Sequence, residues 1–181
     1  MCSAPPPPAS LVPGCRGLTL LELLFALAVG AVLLAAGVPA LERLSLDARR
    51  TADVNAFVTA VQLARSEAAK RGRVIVVCGS ADSSTCTPDY SAGWLVFVDE
   101  DGRPGRAADE PLLFAYRATI EGTISSNRAL YEFRPFRRRS TNGTVTFCDR
   151  RGAAAARAVI VSYTGRPRVS ATGPGRPLSC A

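Results

Sequence analysis

Glu22 is the side chain whose setting most needs a chemical explanation. It is the one charged residue among the 24 positions from Leu18 to Leu41, a run otherwise almost wholly apolar. A helix of that length is about 36 Å long, enough to cross a hydrocarbon core of about 30 Å. A carboxylate inside such a span costs about 2.5 kcal/mol or more unless it finds a partner. The residues just before the run, Cys15-Arg16-Gly17, offer one. A cut after Gly17 frees an α-amino group on Leu18, one helical turn from Glu22. The carboxylate can then pair with an N-terminal ammonium, its own or that of a second copy.

Few other residues could support catalysis. The chain has no histidine, which removes a histidine-based triad. Its single lysine, Lys70, falls where a helix is expected to end. Asp99-Glu100-Asp101-Gly102 is an acidic cluster that could hold Ca²⁺. It is too short for an EF-hand loop, and Asp-Gly is a common turn pair, so a turn is the preferred reading. No active site, metal or cofactor is expected, and the chain reads as no enzyme.

Six cysteines are present. Cys2 and Cys15 belong to the segment ahead of Gly17. Val12-Pro13-Gly14-Cys15 faintly resembles a lipid-acylation site, but no apolar stretch precedes it. Cys78, Cys86, Cys148 and Cys180 remain, an even set with three possible pairings. Cys78–Cys86 with Cys148–Cys180 is favoured, since the first pair brackets a polar loop and the second pins a C-terminus. Zinc is the alternative, without CxxC spacing or histidine to support it. Disulfides imply an oxidising compartment.

The arginines are unevenly spread. Net charge is +7 overall. From Leu18 to Asn127 there are 10 basic and 13 acidic residues; from Arg128 to the end there are 11 arginines against Glu132 and Asp149. Arg134, Arg137, Arg138 and Arg139 cluster in one predicted loop, and Gly165-Arg166-Pro167-Arg168 follows a predicted strand. Arginines on such turns can reach phosphates without reading bases, so nucleic-acid binding there would be weak and salt-sensitive. The alternatives are a solvated basic face or contacts to an acidic neighbouring subunit.

The elements that must position these residues follow from periodicity. Residues 1–17 form a proline-rich leader with no apolar core of its own. Residues 18–41 form the apolar span, and 42–181 a globular part. Past Pro39 apolar residues continue at helical spacing: Leu41, Leu44, Ala48, Ala52, Phe57, Val58, Val61, Ala64 and Ala68. Arg43, Asp47, Arg50, Asp53, Gln62 and Glu67 occupy much of the remainder. Pro39 is expected to bend this helix without ending it, and Lys70-Arg71-Gly72 to close it. After Gly72 the period becomes that of strands: Val74–Cys78, Gly93–Val98, Leu112–Tyr116, Ala129–Phe133, Thr144–Phe147 and Ala158–Tyr163. A long helix followed by consecutive strands predicts an α+β fold, the helix laid on an antiparallel β-sheet.

Gly17-Leu18-Thr19-Leu20-Leu21-Glu22, followed by its apolar run, closely resembles the signal of type IV pilins and pseudopilins. Leu18 stands where that superfamily usually has phenylalanine. Ala64 to Gly72, Cys78-Gly79-Ser80 with Cys86, and Gly93 to Asp99 look like the GspH/FimT family. The resemblance implies a pilin fold. It implies cleavage by prepilin peptidase between Gly17 and Leu18, N-methylation of Leu18, and an assembly role for Glu22 toward other pilin or pseudopilin subunits. It implies a single pass of the bacterial inner membrane with the C-terminal domain in the periplasm. Gly165 to Arg168 resembles the GRxR element of FimT-type minor pilins. The DNA-binding candidates are therefore Arg166 and Arg168, with Arg137, Arg138 and Arg139, toward double-stranded DNA. A minor type IV pilin is expected; the alternatives are a minor pseudopilin of type II secretion and, less favoured, a membrane-tethered periplasmic enzyme.

Overall fold

The structure, a computed structural model, describes residues 17, 19–103, 105–136, 139–171, 173 and 177–180. The chain divides between Leu41 and Glu42 into two compact units. One helix, α1 (Leu20–Arg71), contributes to both and carries Pro39 inside it. In the first unit its described residues are exposed, apart from half-buried Gly30 and Gly37. An exposed apolar helix needs lipid or like helices around it. By length and composition α1 is able to cross a membrane.

In the second unit α1 ends where the sequence predicts. The amide of Gly72 donates to Ala68 O at 3.1 Å, and Gly72 takes a φ of 65°. This is the left-handed closure that glycine allows after a last turn carrying Lys70 and Arg71.

Eight strands follow: β1 (Val74–Gly79), β2 (Gly93–Asp99), β3 (Leu112–Arg117), β4 (Gly122–Ser126), β5 (Leu130–Phe133), β6 (Gly143–Asp149), β7 (Arg157–Val161) and β8 (Pro167–Ser170). They make two antiparallel four-stranded sheets, ordered β3-β2-β1-β5 and β4-β6-β7-β8, where one sheet was expected. The strands that periodicity misses are β4 and β8. Both are sheet edges with mostly polar sequences, Gly-Thr-Ile-Ser-Ser and Pro-Arg-Val-Ser. An edge strand needs few apolar residues, and proline is tolerated at its first position.

Both sheets and α1 share one core. Phe57 of α1 is fully buried at its centre. Its ring meets Trp94 at 5.4 Å, Tyr90 and Tyr131 at 6.0 Å, and Phe147 at 6.1 Å, all edge-on. Ile75, Val77 and Val96 face this core, while Val76, Cys78, Leu95 and Phe97 face a smaller cluster on the other side of β1 and β2. Disulfides join Cys78 to Cys86, beside that smaller cluster, and Cys148 of β6 to Cys180.

The buried face of α1 departs from the expected one between Glu42 and Asp53. Leu41, Leu44, Ala48 and Ala52 are exposed, whereas Arg50 and Asp53 are buried. Asp53 accepts hydrogen bonds from Tyr116 Oη, Thr119 N and Oγ1, and Ile120 N. Burial pushes the Tyr116 hydroxyl up to about 12, and its bond to Asp53 adds to the rise. Arg50 bridges Asp47 at 2.6 Å and Asp149 at 3.2 Å, and Arg151 bridges the same two carboxylates at 2.8 and 2.6 Å. Glu42 pairs with Arg150 and Arg49 with Glu121. Polar groups with partners occupy positions that a hydrophobic count assigns to solvent.

Candidate functional site

Glu22 lies exposed in the first turn of α1. The amide of Glu22 donates to Thr19 Oγ1 at 3.2 Å, and the Leu23 amide donates to Thr19 O at 3.1 Å. Thr19 is thus the N-cap and Glu22 stands three positions after it, the spacing of a capping box. The threonine thus caps the turn that carries Glu22. Leu18, the expected new N-terminus, lies outside the described residues, as do Cys2, Cys15 and Arg16 of the expected leader.

The acidic cluster takes the form of turns. Asp99 Oδ1 accepts from Gly102 N at 2.7 Å and Asp101 Oδ1 from Arg103 N at 2.8 Å. Buried Glu110 joins them, with one carboxylate oxygen of each residue within 4.8 Å of the others. Glu110 is taken up by the amides of Glu100 and Ala107 at 2.8 and 2.9 Å. Burial raises the Asp99 carboxyl above the usual carboxylate range, with Glu110 and Asp101 adding to it. Backbone amides thus hold at least one oxygen of each of the three carboxylates.

The arginines of the last third separate into two groups. Arg150 and Arg151 are committed to ion pairs with acids of α1, and Arg134 to Glu132 at 2.7 Å. Arg128 and Arg157 donate to backbone carbonyls. Arg139, Arg166 and Arg168 are exposed and have no acidic partner among the described residues. Arg137 and Arg138 lie outside the described residues.

The fold brings the two predicted basic segments together. The amide of Ser140, in the β5–β6 connection, donates to Tyr163 O in the β7–β8 turn at 2.7 Å. That turn is braced internally: Gly165 N donates to Ser162 O, Ser162 N to Arg166 O, and Arg166 N to Ser162 Oγ. Gly165 is buried with a φ of 72°. A Cβ there would stand 3.0 Å from Ser140 Oγ and 3.1 Å from Arg65 Cδ. Glycine is therefore needed both for the turn and for the close approach of α1 and the β5–β6 connection. A cleft of about 180 Å³ lies among them, lined by Arg65, Arg134, Phe136, Ser140 and Thr164.

Two features differ from the expected site. Arg168 does not sit on the turn: it is in β8, opposite Ile160, so its backbone is held by a strand ladder. Arg65 was not a candidate, because its sequence context is an ordinary exposed helix position. It is exposed on α1 and unpaired among the described residues, and it packs along the Gly165 turn.

Comparison with known proteins returns a consistent picture. The family model for the type II transport protein GspH matches residues 53–165. The model for the prokaryotic N-terminal methylation motif matches residues 13–38. Among solved structures, the type IV minor pilin FimU of Pseudomonas aeruginosa (strain PAO1) is similar in two crystal forms. One matches at 20% identity with a TM-score of 0.55, over 72% of this chain and 99% of that one. The other matches at 22% identity with a TM-score of 0.54, over 77% and 98%. That likeness shows the pilin fold. A search among curated protein sequences found no match.

Proposed function

This chain belongs to the GspH family of pilin-like subunits, and on that premise we propose that it is a minor type IV pilin that holds DNA. The family and the methylation motif imply dealings with prepilin peptidase and with other pilin or pseudopilin subunits. The finer reading is that the peptidase cuts between Gly17 and Leu18, that Leu18 is N-methylated, and that Glu22 then guides insertion into the fibre. Residues 1–17 are the leader, 18–41 the membrane and fibre-core segment, and 42–181 the periplasmic domain. The two disulfides support an oxidising compartment for that domain. The Glu22→Ala variant is expected to be processed and anchored but excluded from sheared fibres, as read by immunoblot of the fibre fraction. Normal incorporation would sink the assembly role.

The observation that carries the DNA reading is the meeting of the segments that carry Arg65, Arg139 and Arg166 at one braced turn, with Arg168 two residues on in β8, all four exposed and unpaired among the described residues. Phosphate contacts of this kind bind without sequence preference and weaken steeply with salt. The full chain in non-ionic detergent is expected to retard duplex DNA at low salt. Arg166→Ala combined with Arg168→Ala should lower the affinity by about tenfold or more and flatten the salt slope by about 2. No retardation by the parent chain would leave only a scaffold role. The description of the matching family favours a second reading, a minor pseudopilin of type II secretion. Deleting the gene and scoring transformation against protein secretion separates the two.

A further inference from the structure

The arginine patch is flanked by two aromatic rings that packing does not explain. Phe136 is 92% exposed and Tyr163 is 63% exposed. Phe136 also takes a φ of 55°, a left-handed conformation that bulky side chains rarely adopt. It gains no burial from that backbone. The conformation instead displays the ring beside the cleft that Arg65 and Arg134 line. Tyr163 projects from the β7–β8 turn, whose internal hydrogen bonds and link to Ser140 hold it in place. On the same three segments stand Arg65, Arg139 and Arg166, exposed and without acidic partners among the described residues.

Cations that track a backbone, interleaved with exposed aromatic planes, suit one form of nucleic acid in particular. In a duplex the bases already stack on one another, and a protein ring outside the helix meets only sugar and phosphate. In a single strand each base offers a free π-face, and stacking on Phe or Tyr adds to the phosphate contacts without requiring a sequence. The Ser140–Tyr163 hydrogen bond and the close seat of Gly165 against Arg65 join the segments that carry these residues. We infer that this surface is selective for single-stranded DNA, with Phe136 and Tyr163 as its stacking residues and Arg65 as a further phosphate contact. The inference rests on the DNA reading above and narrows it, since that reading expects duplex.

The test uses the full chain in non-ionic detergent and one labelled oligonucleotide, offered as a single strand and as its duplex. Fluorescence anisotropy at low salt should show the single strand bound about tenfold tighter. Phe136→Ala and Tyr163→Ala should each weaken single-strand binding by about tenfold and leave duplex binding within about twofold. Phe136→Trp should retain affinity, and its emission should be quenched when the strand is added. Thermal unfolding of each variant checks the fold, which exposed positions should leave unchanged. Duplex bound as tightly as single strand, or equal losses on both forms, overturns the single-strand assignment while leaving DNA binding in place. Binding of neither form overturns both. A Phe136→Ala variant that loses fibre incorporation but binds the strand normally would make the ring a subunit contact and overturn the assignment as well.

Discussion

Four donors converge on the carboxylate of Asp53, from Tyr116, Thr119 and Ile120. Within hydrogen-bond range a buried carboxylate is the natural acceptor for such a set, and an amide is a poor substitute because half of it donates. Asp53→Asn is therefore expected to lower unfolding free energy by about 2 kcal/mol, read as a fall in urea midpoint at constant slope. The residues of the candidate DNA site obey the opposite rule. Arg166 and Arg168 are exposed, so their removal should leave the urea midpoint unchanged while affinity falls. Comparing the two experiments separates side chains that hold the fold from arginines that face outward. Arg151, equally basic in sequence, belongs with the first kind because Asp47 and buried Asp149 hold it.

At the scale of elements, α1 does two different tasks with two different compositions. Its first turns have no apolar partner within the chain's described residues, while from Val54 to Ala68 it supplies the central wall of the core. Phe57 is the ring around which four others are arranged. Phe57→Ala should cost about 3–5 kcal/mol, since the cavity left behind is walled by aromatics of both sheets that cannot close over it. Thermal unfolding of the full chain in detergent, or of a fragment if it proves soluble, measures this. A loss under about 1 kcal/mol would mean that the helix is less integral than its burial indicates. The β7–β8 turn illustrates how an element is specified by one residue: Gly165 permits the left-handed backbone and the approach of Arg65 and Phe133 together.

For the molecule as a whole, the charge network gives stability a pH dependence whose sign can be stated. Hydrogen bonds from Arg151 hold the carboxyls of Asp47 and Asp149 below the usual carboxylate range, and the nearby Arg50 charge adds to both. A depressed folded-state value contributes stability above the unfolded value of about 4 and loses it as pH falls further. The domain should accordingly unfold at lower urea as pH drops from about 5 toward 3. Asp149→Asn should reduce that dependence. Asp99 works in the other sense, since burial and neighbouring carboxylates raise it. Its charge opposes the fold at neutral pH, so Asp99→Asn, which keeps an acceptor for Gly102 N, should be neutral or stabilising there. Circular dichroism melts of the two variants at both pH values check these opposite signs.

Local pattern carried much of this protein on its own. The apolar run around Glu22, the glycine stop at Gly72 and the change of period after it are all statements about near neighbours. Backbone geometry and solvent act on them within a turn or a strand, so the pilin fold and the family were legible before any coordinates. What charged and edge residues do was not, because their partners are remote in the chain. Asp53 meets Thr119 across 66 positions, Arg50 meets Asp149 across 99, and Arg150 meets Glu42 across 108. Only closure of the two sheets on α1 decides which arginines are neutralised, that β4 and β8 find edges to pair with, and that Arg65, Phe136 and Thr164 line one cleft. A charge is free or paired according to what lies within a few ångströms of it, and that distance is a property of the folded chain.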